Sequence, residues 1–300
     1  MAFEIEILEF PSNLGLIEPS PGKEPGVKKL PGWLRQHGFY ALISPVRVRS
    51  LVPPNYTMLI DEESGVRNAA AISQYALQQA EILKTTIRDK LFALVIGGDC
   101  SILVGNAIAL KQSGNYGLFF LDGHTDYIWP ELSQTHGAAG MDLAIVTGHG
   151  HDKLVDILNL GPYLNEENVF CAGNREYDEK YIEPIKNSKI NYFDLDRLRN
   201  YGIENCVNDF LEMVINKKLD GFWIHFDADA LNDDLMPAVD SREPGGLDYE
   251  ELSLILKKLL ENELCVGLEI TILDPDLDPG AVYTKEFVYR VGKIIAGIRK

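Results

Sequence analysis

The sequence predicts an α/β fold around a mostly parallel sheet, and three observations carry that prediction. Short apolar runs rich in β-forming residues recur along the 300 residues, and longer stretches of helical periodicity separate them. Several runs, such as LFALVI ending at Ile96 and GLFFL ending at Leu121, are apolar on both faces, as a central strand covered by helices on each side must be.

Taken in order, Phe3–Phe10 and Tyr40–Ile43 read as the first two strands. Arg67–Asp89 follows as an amphipathic helix, because Ile72, Tyr75, Ala76, Ala80, Leu83 and Ile87 fall on one face at a period of about 3.6 residues. Phe92–Ile96, Leu118–Leu121, Val169–Ala172, Ile190–Phe193 and Phe222–Phe226 are the next strands. Tyr249–Glu261 is a second amphipathic helix, with Leu252, Ile255, Leu256 and Leu259 on its apolar face, and Val266–Ile272 closes the set of strands. Pro- and Gly-containing loops, Glu18–Gly26 and Met236–Gly246, interrupt the pattern without resembling a flexible linker, and no repeat is present. One domain spanning residues 1–300 is expected.

Composition narrows the function. With 46% hydrophobic and 24% charged residues the chain is neither disordered nor fibrous. No apolar run approaches the roughly 20 residues needed to span a bilayer, so no membrane role is expected. The opening MAFEIEILEF is acidic ahead of its apolar stretch, which predicts a cytoplasmic protein. Cys100, Cys171, Cys206 and Cys265 lie far apart, which points away from a disulfide framework or zinc ribbon and toward reduced thiols. A net charge of −17 would repel a phosphate backbone, so nucleic acid is not an expected partner.

In open parallel sheets the ligand site lies beyond the carboxyl ends of the strands. Three strands here run into polar clusters: LVIGGDCS ending at Ser101, FFLDGHTD ending at Asp126, and WIHFDADALND ending at Asp233. Asp122, His124 and Asp126 are spaced i, i+2, i+4, so an extended backbone turns all three to one side, and Asp227 and Asp229 repeat the arrangement. Four carboxylates converging in a partly desolvated pocket cannot all stay ionised without cations, which predicts a divalent metal site. His225, on the strand before Asp227, reads as a packed sheet residue, and His149 and His151 read as a solvated turn.

These motifs resemble those of the ureohydrolase family, whose members include arginase, agmatinase and formimidoylglutamase, over about Phe92 to Asp278. The family's G-G-D-H-S corresponds to Gly97-Gly98-Asp99-Cys100-Ser101, its D-A-H-x-D to Asp122-Gly123-His124-Thr125-Asp126, and its D-x-D to Asp227-Ala228-Asp229. The resemblance implies a three-layer α/β/α sandwich on a mostly parallel sheet of about eight strands. It implies two metals, usually manganese, bridged by Asp122 and Asp227, with Asp126 completing the first site and His124 and Asp229 the second. The paired ions would acidify a water that attacks an sp² carbon bearing nitrogen. By the same resemblance His136, before Gly137, would shuttle a proton to the departing amine, Asp178 would contact the substrate's amino end, and the protein would form trimers or hexamers.

The chain also departs from the family. Cys100 replaces the first metal-binding histidine; it is either a further ligand that favours zinc, iron or cobalt over manganese, or a buried thiol that leaves the first site weak. Ile272 stands where guanidine hydrolases place a carboxylate against the guanidinium, and the segment from Asp126 to His136 lacks the residues that bind the α-carboxylate in arginases. The expected activity is therefore metal-dependent hydrolysis of a non-peptide C–N bond in a small linear amidine or amide, with arginine disfavoured. Two rivals stand beside it: a binding or regulatory protein on the arginase fold with impaired catalysis, and a single-metal, deacetylase-like amidohydrolase.

Overall fold

The structure, a computed structural model, describes residues 4–297. Eight strands, β1 (Ile5–Glu9), β2 (Arg47–Ser50), β3 (Phe92–Ile96), β4 (Tyr116–Leu121), β5 (Val169–Ala172), β6 (Asn191–Phe193), β7 (Gly221–Asp227) and β8 (Cys265–Thr271), form one sheet in the order β2-β1-β3-β8-β7-β4-β5-β6. Every neighbouring pair is parallel. The period-two alternation divides the apolar side chains between two layers. Ile5, Leu94, Phe119, Ile224 and Leu268 pack toward the helices Leu30–Gln36, Ile203–Asn216, Tyr249–Leu260 and Val282–Gly297. Leu8, Val95, Phe120 and Trp223 pack toward Ala69–Arg88 and Ile102–Ser113. The result is the expected α/β/α sandwich, with its sheet parallel throughout.

Six of the expected strands lie wholly within the described residues and overlap observed ones. The first expected strand begins at Phe3, which lies outside them, and its remainder contains β1. Tyr40–Ile43 is corrected: it belongs to a helix, Phe39–Ile43, bounded by Gly38 and Ser44 in the left-handed region at φ 89° and 51°. Phe39, Tyr40 and Ile43 are its buried residues, a spacing that suits one helical face. The strand is instead Arg47–Ser50, a polar edge whose Arg47 and Arg49 both bond to the buried Glu6 on β1. Among the described residues no helix is long and apolar enough to cross a membrane.

Four consecutive strands of the sheet, β3, β8, β7 and β4, carry the loops of interest. Ile96 pairs with Ile270, Asp227 with Thr271, and Leu121 with Phe226, so the first residues beyond each strand emerge at one level. That register, with neighbouring strands about 4.8 Å apart, brings the three polar clusters together.

Candidate metal centre and its cavity

Short loop bonds fix each polar cluster as its strand ends. Asp122 accepts from the backbone N–H of His124 at 2.6 Å, and Asp227 from that of Asp229 at 2.8 Å, so each motif folds over its own first carboxylate. Asp229 then accepts from the amide of Gly123 at 2.9 Å, tying the two motifs to each other. In the GGDCS turn a Cβ on Gly98 would lie 1.7 Å from the Ser12 carbonyl oxygen, so only glycine fits. Asp99 in that turn accepts from the Ser12 hydroxyl at 2.8 Å and braces the loop.

The expected metal residues converge. His124 Nδ1 lies 2.9 Å from Asp229 and 3.8 Å from Asp122. Cys100 Sγ lies 2.8 Å from Asp227 Oδ2 and 3.2 Å from Thr271 Oγ1. Three sets of donor atoms are each mutually within 4.8 Å: Cys100, Asp122, His225 and Asp227; Cys100, Asp126 and Asp142; and Asp122, His124 and Asp229. Above them lies a cavity of about 310 Å³ bordered by Cys100, His124, Asp126, Asp227, Asp229 and Ile272. A larger cavity of about 830 Å³ adjoins it, sharing Leu16, Thr135, Gly140, Asp240 and Ser241.

Electrostatics make the same point as geometry. Burial, then the charges of Asp122, Asp142, Asp229 and Asp227, pushes Asp126 well above the carboxylate range. Burial and the charges of Asp229 and Asp122 do the same to Asp227. Asp142 is also driven well up, chiefly by burial. Cys100 rises through burial and the surrounding aspartates. Burial opposes the imidazolium of His124, yet Asp229, by charge and hydrogen bond, and Asp122 push it up to about 10. Among the described residues, buried Asp122 Oδ2, Asp142 Oδ2 and His225 Nε2 find no hydrogen-bond partner. So many desolvated acids with orphaned oxygens are what a divalent cation satisfies, and oxygen, imidazole and thiol donors fit such an ion.

Two expected site residues are not brought to the cavity. His136 lies outside its lining, with Nδ1 2.9 Å from the Gly65 carbonyl oxygen; Ala139 and Gly140, a few residues on, border the cavity instead. Asp178 caps the helix Glu179–Lys186, accepting from Lys180 N at 3.2 Å, and its exposed carboxylate pairs with the Lys180 ammonium. The carboxylate of that segment that does line the cavity is Glu176, which accepts from the Thr125 hydroxyl at 3.0 Å. Sequence reasoning missed Glu176 because nothing local told it from Asp178. It missed Asp142 because that residue opens a helix, away from any strand end. His149 lies just past a turn with its side chain 41% exposed, as expected, and its Nε2 is 2.6 Å from Glu166 while its ring packs edge-on to Tyr127.

Ile272 lies 3% exposed in the cavity wall, just past the end of β8. Its amide donates to the Gly98 carbonyl at 2.8 Å, and its φ is 71°. A β-branched residue in this region is strained, and such strain persists only where the surroundings enforce it. The kink turns an apolar side chain into a cavity otherwise rich in carboxylates.

A parallel α/β/α sandwich that gathers carboxylates, an imidazole and a thiol beyond its central strands defines a metalloprotein with a substrate-sized cavity. Comparison with known proteins narrows the class. Residues 42–293 match the model of the arginase family. An arginase of Staphylococcus aureus (strain COL) is 29% identical over 232 residues, covering 77% of this chain and 76% of the relative. The crystal structure of an arginase from Bacillus cereus superposes with a TM-score of 0.84 at 26% identity, covering 97% of this chain and 98% of the other. A formimidoylglutamase from Bacillus subtilis subsp. subtilis str. 168 shares the fold, with a TM-score of 0.72 at 19% identity over 100% of this chain and 88% of the other. The chain belongs to the arginase family, and it is a hydrolase of that family with a metal-binding site.

Proposed function

We propose that this protein hydrolyses a non-peptide C–N bond in a small linear amidine or amide, using divalent metal held by Asp122, His124, Asp126, Asp227 and Asp229. The observation that carries the reading is the convergence of these donors, with orphaned buried oxygens, beside a cavity of about 310 Å³. The adjoining larger cavity supports a linear substrate, since it leaves room for a tail beyond the reacting group. The arginase name of the Staphylococcus aureus relative supports C–N chemistry, and Ile272 speaks against a guanidinium as the group attacked.

Each residue has a task in this reading. Asp122 and Asp227 would hold divalent cations, and His124 and Asp229, 2.9 Å apart, would supply further donors. When bound, divalent ions supply Lewis acidity and a water acidic enough to ionise near neutral pH. Manganese suits the carboxylate-rich set, whereas zinc, iron or cobalt suits Cys100. Asp126, half-buried and bordering the cavity, is placed to relay a proton from the attacking water to the departing nitrogen. His136 is given no part in this proton transfer, because its ring faces Gly65. Glu176 offers a carboxylate to a cationic part of the substrate. The substrate is a small molecule, and the protein is read as a single-domain cytoplasmic homo-oligomer.

The test is a substrate panel on metal-loaded protein: arginine and agmatine scored by urea release, formimidoyl compounds and uncharged amides scored by ammonia or amine release. Turnover of a smaller amidine or an amide, lost on chelation, supports the reading. Inactivity toward every C–N substrate after loading with manganese, zinc, iron and cobalt overturns it.

A further inference from the structure

His225 lies on β7 below Asp227, on the same face of the strand, fully buried. Its ring stacks on Phe120, with centroids 4.4 Å apart and an interplanar angle of 6°. Nδ1 sits 2.6 Å from Glu269 on the neighbouring strand, and Asn106 donates to the other oxygen of that carboxylate. Nε2 finds no hydrogen-bond partner among the described residues and lies 3.7 Å from Asp122 Oδ2. This distance is too long for a hydrogen bond, yet two donors bound to one ion at about 2.0–2.2 Å, with tetrahedral angles, lie roughly 3.4 Å apart.

We propose that His225 is a metal ligand, and that with Cys100, Asp122 and Asp227 it forms a four-donor site for a zinc-type cation at the cavity floor. It rests on the metal-dependent reading above and assigns the imidazole that the GGDCS turn does not supply. All four donors fall within 4.8 Å of one another and are at most 2% exposed, with Cys100 and Asp227 reaching the cavity floor. One sulfur, one nitrogen and two oxygens suit zinc, cobalt or iron better than manganese. A ligating histidine almost always gives its other N–H to a carboxylate, which fixes ring and tautomer, and Glu269, itself held by Asn106, occupies that position.

X-ray absorption on unmutated protein carrying one equivalent of zinc tests this directly. The expected shell holds one sulfur at about 2.3 Å together with an imidazole on the same ion. With cobalt, the thiolate charge-transfer band should appear in wild type and vanish in Cys100→Ser. In His225→Gln cobalt affinity should fall at least about 100-fold, and Glu269→Gln should keep the band with affinity about 10- to 100-fold weaker. Zinc bound without sulfur, or a His225→Gln titration identical to wild type, overturns the inference while leaving the metal-dependent reading intact. Wild type that binds no divalent cation overturns both. Should His225→Gln fail to fold, the absorption spectrum of the unmutated protein decides.

Discussion

Cys100 Sγ lies 2.8 Å from Asp227 Oδ2, which places the GGDCS turn of β3 against the carboxylate that begins the D-x-D motif of β7. Position 100 therefore lies within the candidate metal site, and on the proposed reading its chemistry should set metal preference. Cys100→His should raise manganese occupancy and reduce the preference for zinc or iron, because imidazole suits manganese better than thiolate does. Competitive loading followed by elemental analysis checks this; an unchanged manganese titration contradicts it.

Glu6 supports the fold away from the site. Burial alone would raise its pKa, but hydrogen bonds from Arg47 and Arg49 outweigh it and hold the carboxyl below its usual 4.5. A carboxyl depressed in the folded state contributes stability that is fully present above the unfolded value and lost as pH falls through the folded one. Glu6→Gln should thus destabilise by about 2 kcal/mol near neutral pH, with a smaller difference from wild type below pH 4.5. Urea titrations at neutral and acid pH read this out, and a gap independent of pH would contradict it.

Much of this architecture is legible in the sequence, and the failures have physical causes. Central strands such as Phe92–Ile96 are apolar on both faces because helices cover both. The edge strand Arg47–Ser50 is hidden because its stability comes from Arg–Glu6 bonding across strands, which no local pattern displays. The cluster of Asp122, His124, Asp126, Asp227 and Asp229 could be picked out because apolar strands run into it, although the residues beyond β4 and β7 fold as turns rather than as extended backbone: Asp126 has φ 44° and Asp229 lies in the short helix Ala228–Ala230. The positions of His136 and Asp178 outside the cavity lining were not legible, since loop direction is decided by tertiary contacts.

Glu176 and Asp178 should separate cleanly on mutation. Asp178→Ala removes an exposed helix cap and should lower the melting temperature slightly with kcat unchanged. Glu176→Gln should raise KM for a cationic substrate while leaving uncharged amides little affected, because Glu176 borders the cavity. The reverse pattern in steady-state kinetics would place the substrate's cationic end at Asp178.

Ile272 predicts that arginine and agmatine are poor substrates. A guanidinium in a closed pocket is held by charge-assisted bonds to a carboxylate, and losing one partner of a buried pair costs on the order of 3–5 kcal/mol. Because that contact also orients the attacked carbon, the deficit should appear in kcat as well as in KM. Ile272→Glu should gain guanidine hydrolysis, measured as urea release. Wild-type urea release comparable with an ordinary arginase would contradict the assignment of Ile272.

The central claim is that Asp122 and Asp227 hold divalent metal, and elemental analysis of purified protein beside its Asp122→Ala and Asp227→Ala variants tests it most directly. Wild type should carry about one to two equivalents of a divalent transition metal, in line with a donor set that serves one or two ions. It should also gain about 2.7 kcal/mol of stability at metal concentrations 100-fold above Kd. Each variant should lose both the metal and the stabilisation while still folding. Wild type without metal after incubation with manganese, zinc, iron and cobalt, or variants that retain the full complement, would contradict the account.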